Sequence, residues 1–182
     1  MDQSAVALYL HEVIAQSQFT NAALTVFNQS AEQQAGVGIL FAAQAALTSA
    51  SHIGNILWPT RARHRRRGEV LRNLLDLPEK HAFADRRFAE LWDNADQKLE
   101  DWIDANKSGR AVVDVIAPLD QLGVDGLEES HLLRAYDPQS RIFYYRGIGY
   151  NLQTLAKNIG DIGARASQAA AKLEREAHRP DG

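Results

Sequence analysis

The spacing of apolar residues along the chain predicts a succession of helices. Between residues 5 and 33, apolar or small residues recur every three or four positions, which is the repeat of one helix face. Residues 37–58 contain no Asp, Glu, Lys or Arg and are apolar on nearly every side, which is typical of a buried central helix. This helix should end where Trp58 precedes Pro59, because proline disfavours helical backbone in the residue before it. Further helices are predicted at 68–77, 85–106 and 150–177.

The helix predicted at 85–106 has the clearest division into two faces. Asp85 is a suitable N-cap for it. An apolar stripe at helical spacing predicts the buried face, formed by Phe88, Trp92, Ala95, Leu99 and Trp102. The opposite face is polar to acidic and carries Glu90, Asn94, Gln97 and Asp101. If the helix carries a site, we expect it on this outer face.

Residues 111–148 lack helical periodicity and are expected to form loops with some β structure. A turn signal at Asp137-Pro138 is followed by the aromatic run Ile142–Tyr145, which favours a strand. We therefore expect a small β-hairpin or extended insertion before the last helix. The predicted fold class is mainly α: an up-and-down bundle of four long helices and one short helix, in a single domain over residues 1–182.

Composition narrows the functional classes. The chain has no cysteine, which excludes disulfides, thiolate catalysis and cysteine-ligated metal sites. Its six histidines form no metal-binding spacing, and no phosphate-loop or dinucleotide motif occurs, so we expect neither a metal nor a cofactor. Residues 36–58 are long enough to span a bilayer, but the polar residues in their second half favour a core helix and no membrane partner. The N-terminus lacks the basic start of a secretory signal, so we expect a cytoplasmic protein.

A run of basic residues at 61–67 is the strongest charge feature. It contains five arginines, and its candidate binding residues are Arg61, Arg63, Arg65, Arg66 and Arg67. Such a run favours phosphates of RNA or DNA, or an acidic partner. The alternative is a solvated loop that balances the charge of a protein with net charge −3. No aromatic residue interleaves the run, so base stacking has little support.

The order of the segments resembles that of a group of bacterial helical proteins related to the HEPN superfamily. The resemblance rests on four stretches in succession: "FAAQAALTSASHIGNILWP", "RGEVLRNLLDLP", "FADRRFAELWDNADQKLEDW" and "RAYDPQSRIFYYRGIGYNLQTLAKNI". It implies a helical bundle, often a homodimeric, metal-independent RNase with an Arg-Asn-x-x-x-His signature on a late helix. Matching that helix through Trp102 puts the signature positions on Ala89, Glu90 and Asn94, so all three signature residues are missing.

The missing residues shape the expected function. Ala89 cannot hold a phosphate, Asn94 cannot titrate, and Glu90 adds negative charge, so we expect no catalytic residue and a vestigial site face of Ala89, Glu90, Asn94, Gln97 and Asp101. The favoured hypothesis is a catalytically degenerate HEPN-like module that acts through homodimerisation or a protein partner, in a toxin–antitoxin or phage-defence context. Two alternatives stay open: an RNase with a rebuilt site, and a nucleic-acid or acidic-partner binder that uses Arg61–Arg67.

Overall fold

The computed structural model describes residues 1–107 and 109–178 of the chain. Within these residues the protein has six α-helices and one four-stranded sheet. The helices are α1 (Gln3–Glu32), α2 (Gly36–Leu57), α3 (Arg65–Leu74), α4 (Arg86–Ala89), α5 (Ala95–Ala105) and α6 (Leu152–Ala177). The strands are β1 (Val115–Ile116), β2 (Arg134–Asp137), β3 (Ile142–Tyr145) and β4 (Ile148–Asn151).

The prediction of an up-and-down helical bundle is wrong, since the protein is mainly helical with a small mixed sheet. The insertion before α6 is larger than the expected hairpin. Strand β1 pairs in parallel with β2, and β2, β3 and β4 follow one another in antiparallel pairs. Because β1 has only two residues and pairs with Ala135 and Tyr136 far along the chain, no local alternation marks it as a strand.

The prediction of a single helix at 85–106 is also wrong, because a turn separates α4 from α5. Residues 90–94 form turns, and Asn94 adopts a left-handed backbone with φ 48° and ψ 48°. Asparagine tolerates this conformation better than most residues, which suits Asn94 to the last position before α5 begins. The break changes which side chains are buried. Ala89 and Leu91 are 3% exposed, whereas α5 contains no buried residue.

The expected apolar stripe at 85–106 is therefore not the core face. Phe88, Trp92 and Trp102 are half-buried, and Leu99 is exposed. In α5, the Trp102 indole N–H donates to the Ser130 carbonyl at 3.0 Å, which ties this helix to the loop before β2. The ring thus anchors a loop rather than filling a bundle core.

The chain folds as two compact units, and the three long helices each contribute to both. The first unit comprises residues 1–22, 46–91 and the chain from 157 onward, and the second comprises 23–45 and 92–156. In the first unit the large fully buried side chains are apolar except for Thr20, and they come from α1, α2, α3, α6 and the segment before α4: Leu10, Val13, Thr20, Leu47, Ile53, Leu57, Leu71, Phe83, Ile159 and Ile162. In the second unit the sheet packs around Leu132, Ala135 and Tyr144.

Candidate functional site

The arginine segment, residues 61–67, lies in the first unit where the chain passes from α2 to α3. A 3₁₀ turn at Ala62–His64 leads directly into α3, which begins at Arg65. The helix predicted to start at residue 68 thus starts three residues earlier, and Arg65, Arg66 and Arg67 form its first turn. No preferred capping residue precedes Arg65, and His64 at the N-cap position forms no side-chain capping hydrogen bond, so this start is not marked in the sequence.

Two arginines on α3 point inward and bind the end of α2. Arg67 donates to the Asn55 carbonyl at 2.8 Å, and its guanidinium lies 5.1 Å from the centre of the Tyr9 ring. Arg72 donates to the Leu57 carbonyl. These carbonyls belong to the last turn of α2, where backbone acceptors lack helical partners and the helix dipole favours cations. Arg67 therefore helps to hold α3 against the end of α2.

Gly68 lets α3 approach the end of α2 closely enough for these hydrogen bonds. A Cβ atom at this position would lie 2.6 Å from the Pro59 Cδ atom and 2.7 Å from the Leu57 carbonyl oxygen. Both distances are below 3.0 Å, and real Cβ atoms essentially never come so close to a neighbouring heavy atom. Sequence reasoning missed the positioning roles of Gly68 and Arg72, although a glycine inside the first turns of a helix is a signal of close packing.

The other four arginines of the segment point outward. Arg61, Arg63, Arg65 and Arg66 are exposed, and none of them takes part in an ion pair with any residue that the structure describes. Arg63 donates instead to the neutral His64 ring, at 3.0 Å between its Nε atom and the histidine Nε2. We name these four residues the outward arginines. They concentrate four positive charges within six consecutive positions of the chain, without a counter-ion in the part of the chain that the structure describes.

The position of the outward arginines makes them receptive to anions. Arg65 and Arg66 lie in the first turn of α3, where the helix dipole already disfavours positive charge. Desolvation, and then repulsion from Arg67, Arg63 and Arg61, lowers the pKa of the His64 ring below its ordinary value. An anion bound to the outward arginines would relieve this repulsion. Guanidinium groups pair with phosphate through two parallel hydrogen bonds, so phosphate is a suitable anion.

The structure does not present the vestigial site face as one helical surface. Ala89 is buried at the end of α4, and Glu90 follows it in the turn. Glu90 accepts hydrogen bonds from the Arg86 guanidinium, with a shortest N–O distance of 2.6 Å. Asn94 precedes α5 in its left-handed conformation, and Gln97 and Asp101 are exposed on α5 itself. The five residues thus lie on α4, in the turn after it and on α5, because the turns at residues 90–94 interrupt the helix that would have aligned them.

Two other sequence features can be placed. Among the described residues, no group of three or more His, Asp or Glu side chains is arranged to hold a metal ion. Helix α2 is the one described helix long and apolar enough to cross a membrane by length and composition, and half of its most apolar stretch is buried inside the protein. Such a helix is equally typical of the core of a folded domain.

Comparisons with known proteins identify no relative of this chain. No family model, no curated protein and no solved structure matches the chain. The candidate site is therefore defined by its own geometry: four outward arginines on a segment that Arg67, Gly68 and Arg72 fix to the end of α2.

Proposed function

We propose that the protein is a binding module that holds the phosphate backbone of nucleic acid on its outward arginines. The observation that carries the proposal is the cluster of Arg61, Arg63, Arg65 and Arg66, which are exposed and without an ion-pair partner among the described residues. Their neighbours Arg67 and Arg72 keep the segment in place by binding α2 carbonyls. In this segment Arg67 thus stabilises the fold, whereas the outward arginines face the solvent.

We expect the outward arginines to contact the phosphate backbone of the nucleic acid and not its bases. Described residues of the arginine segment include no aromatic ring apart from His64, so no platform for stacking bases accompanies the charges. Contacts to phosphate position a protein on nucleic acid without reading its sequence. The net charge of −3 also limits the footprint, because the acidic remainder of the surface repels further phosphates. We therefore expect a short, sequence-independent contact of about four phosphates.

RNA is the first ligand to test, because the resemblance to HEPN-like proteins concerns proteins that handle RNA. A protein that retains RNA binding but lacks the signature Arg, Asn and His would bind RNA without cleaving it. An RNase with a rebuilt site is not proposed, since Glu90 is paired with Arg86 and Ala89 is buried.

The test is binding of fluorescently labelled RNA and DNA, measured by anisotropy across a salt series. With four phosphate contacts, the affinity should fall about 100-fold between 50 and 200 mM salt. Replacing the four outward arginines together by glutamine should abolish binding and flatten the salt dependence. The control replaces four exposed cations elsewhere in the chain by glutamine, which changes the net charge equally: Lys80, Arg110, Arg141 and Lys172.

The outcomes separate the open alternatives. Loss of binding in the outward-arginine variant with retention in the control supports the proposal. Equal loss in both variants would mean that overall charge, and not this segment, attracts the ligand. Absence of binding at 50 mM salt, together with capture of an acidic peptide, would reassign the segment to an acidic protein partner. Shortening of the RNA on a denaturing gel would show an enzyme.

A further inference from the structure

One histidine, His64, lies within the arginine segment. It occupies the N-cap position of α3, but its side chain forms no capping hydrogen bond to the helix. The ring instead accepts a hydrogen bond from Arg63, whose Nε atom lies 3.0 Å from the His64 Nε2 atom. A side chain that titrates near neutral pH is thus placed among the cations of the proposed phosphate site.

The hydrogen bond from Arg63 requires a neutral His64 ring. A guanidinium has N–H donors and no acceptor, so the Nε2 atom of the histidine must be the acceptor. A ring that accepts at Nε2 carries its single proton on Nδ1 and has no charge. Protonation of Nε2 would remove this hydrogen bond and place a second positive charge opposite the guanidinium. Without an anion at the site, the geometry therefore favours the neutral ring.

The charges that act on the His64 ring are those of arginines. Desolvation, and then repulsion from Arg67, Arg63 and Arg61, lowers the pKa of this ring. The carboxylate nearest to it along the chain, Glu69, is exposed on α3 and is not among the charges that shift this pKa. An anion that binds the outward arginines would therefore supply the negative charge that the ring lacks.

We propose that phosphate binding at the outward arginines and protonation of His64 favour each other, so that nucleic acid binds more tightly as the pH falls. The inference rests on the proposed function, because it concerns the same phosphate site. A bound phosphate takes the guanidinium of Arg63 as its own partner and leaves the His64 ring free to accept a proton. The protonated ring then adds a fifth cation to the four outward arginines, and its Nε2 N–H can donate to a phosphate oxygen.

The link between proton and phosphate acts equally in both directions. If bound phosphate raises the affinity of His64 for a proton by some factor, the bound proton raises the affinity for phosphate by the same factor. The phosphodiesters of RNA stay ionised between pH 5.5 and pH 8, so the group that titrates belongs to the protein. Because coupled sites typically change each other's affinity by about fivefold or more, we expect RNA to bind at least about fivefold more tightly at pH 5.5 than at pH 8.

The test measures the affinity of the whole chain for labelled RNA at pH 5.5 and pH 8, each across a salt series. For the unmodified protein, a fifth phosphate contact at pH 5.5 should steepen the slope of log affinity against log salt by about 0.7–0.9. His64→Gln should bind RNA about equally at the two pH values, because its side chain cannot take up a proton. His64→Lys should also lose the pH dependence, and at pH 8 it should bind at least about fivefold more tightly than His64→Gln, since its charge is permanent.

The matched control is His11→Gln, which changes an exposed histidine of α1 in the same unit. This control should keep the full difference in affinity between pH 5.5 and pH 8, because His11 lies outside the arginine segment. Both His64 variants should keep the circular dichroism spectrum of the folded protein at both pH values, since the His64 side chain caps no backbone group of α3.

A second measurement follows the His64 ring by NMR during a pH titration. Addition of RNA should move the midpoint of its titration to higher pH, and a midpoint that RNA does not move would overturn the inference. A pH dependence of RNA affinity that His64→Gln leaves unchanged would overturn it too, and the proposed function would stand. Absence of RNA binding at both pH values in 50 mM salt would overturn the proposed function and this inference together.

Discussion

The contact of Gly68 with the end of α2 predicts that adding a single methyl group there destabilises the protein. In an ordinary helix, glycine to alanine stabilises by about 0.5–1 kcal/mol, because glycine loses more backbone entropy on folding. At Gly68 the new methyl group would meet the Pro59 Cδ atom at 2.6 Å and the Leu57 carbonyl oxygen at 2.7 Å. Both atoms belong to the backbone or to a rigid ring, so neither can move without shifting α2 or α3.

The size of the effect follows from three contributions. Overpacking of this kind costs about 1–3 kcal/mol. Displacement of α3 would also weaken the hydrogen bond from Arg72 to the Leu57 carbonyl, which contributes about 1 kcal/mol. Against these stands the helix gain of about 0.5–1 kcal/mol. We therefore expect Gly68→Ala to lower the free energy of unfolding by about 1–3 kcal/mol.

The assay is urea denaturation at pH 7, followed by circular dichroism. Gly160→Ala is the control, because Gly160 lies exposed in α6 with no atom within 4 Å of an added Cβ. This control should raise the free energy of unfolding by about 0.5–1 kcal/mol. A Gly68→Ala variant as stable as the unmodified protein, or more stable, would refute the close contact between α3 and α2. The position assigned to the arginine segment would then be wrong as well.

Two further predictions concern pH. Burial lowers the pKa of His81, whose Nδ1 accepts a hydrogen bond from the Phe83 N–H. The stabilisation that the neutral His81 ring contributes is therefore complete above pH 6.5 and is lost as the pH falls below that value. His81→Asn should flatten this part of a profile of unfolding free energy against pH. Burial, and then the negative charge of Glu129, raises the pKa of Tyr144 to about 12, so stability should be lost as the pH rises from 10 towards 12. In an ultraviolet titration one of the five tyrosines should ionise near pH 12, and Tyr144→Phe should remove that transition; a normal phenol titration in its place would contradict the burial of Tyr144.

The long helices could be located from sequence because each keeps an apolar repeat over many turns. Helices α1, α2 and α6 lie within a few residues of the segments that periodicity indicates. The shorter elements could not be located in this way. Strand β1 has two residues and owes its conformation to a distant partner, so no local pattern identifies it.

The break between α4 and α5 shows how a good helical pattern can mislead. Phe88, Trp92, Ala95, Leu99 and Trp102 keep helical spacing across it, yet residues 90–94 form turns and Asn94 has a left-handed backbone, so these residues do not share one helix. The Asp93-Asn94 pair was the available signal, because both residues favour turns. The spacing of five apolar residues predicts one continuous helix, but the turn conformation of the backbone between them prevents it.

The candidate site was predictable as a charge run but not as an arrangement. The five arginines are evident in the sequence, whereas the inward turn of Arg67 depends on α2 carbonyls twelve residues earlier in the chain. Local sequence does not contain that partner. The outer face of the predicted 85–106 helix could not have been corrected from sequence either, because the burial of Ala89 follows from the tertiary packing around α4.

The division of the arginine segment into inward and outward side chains means that the order of its residues carries information that its composition does not. A permuted segment with the same five arginines, one histidine and one alanine would have the same charge and the same score in any search for basic runs. If the permutation placed alanine or histidine at position 67, it would nevertheless lose the guanidinium that reaches the Asn55 carbonyl and lies over the Tyr9 ring. Recognition of such segments in other chains therefore requires the position of each arginine relative to the glycine that follows, and not their number alone.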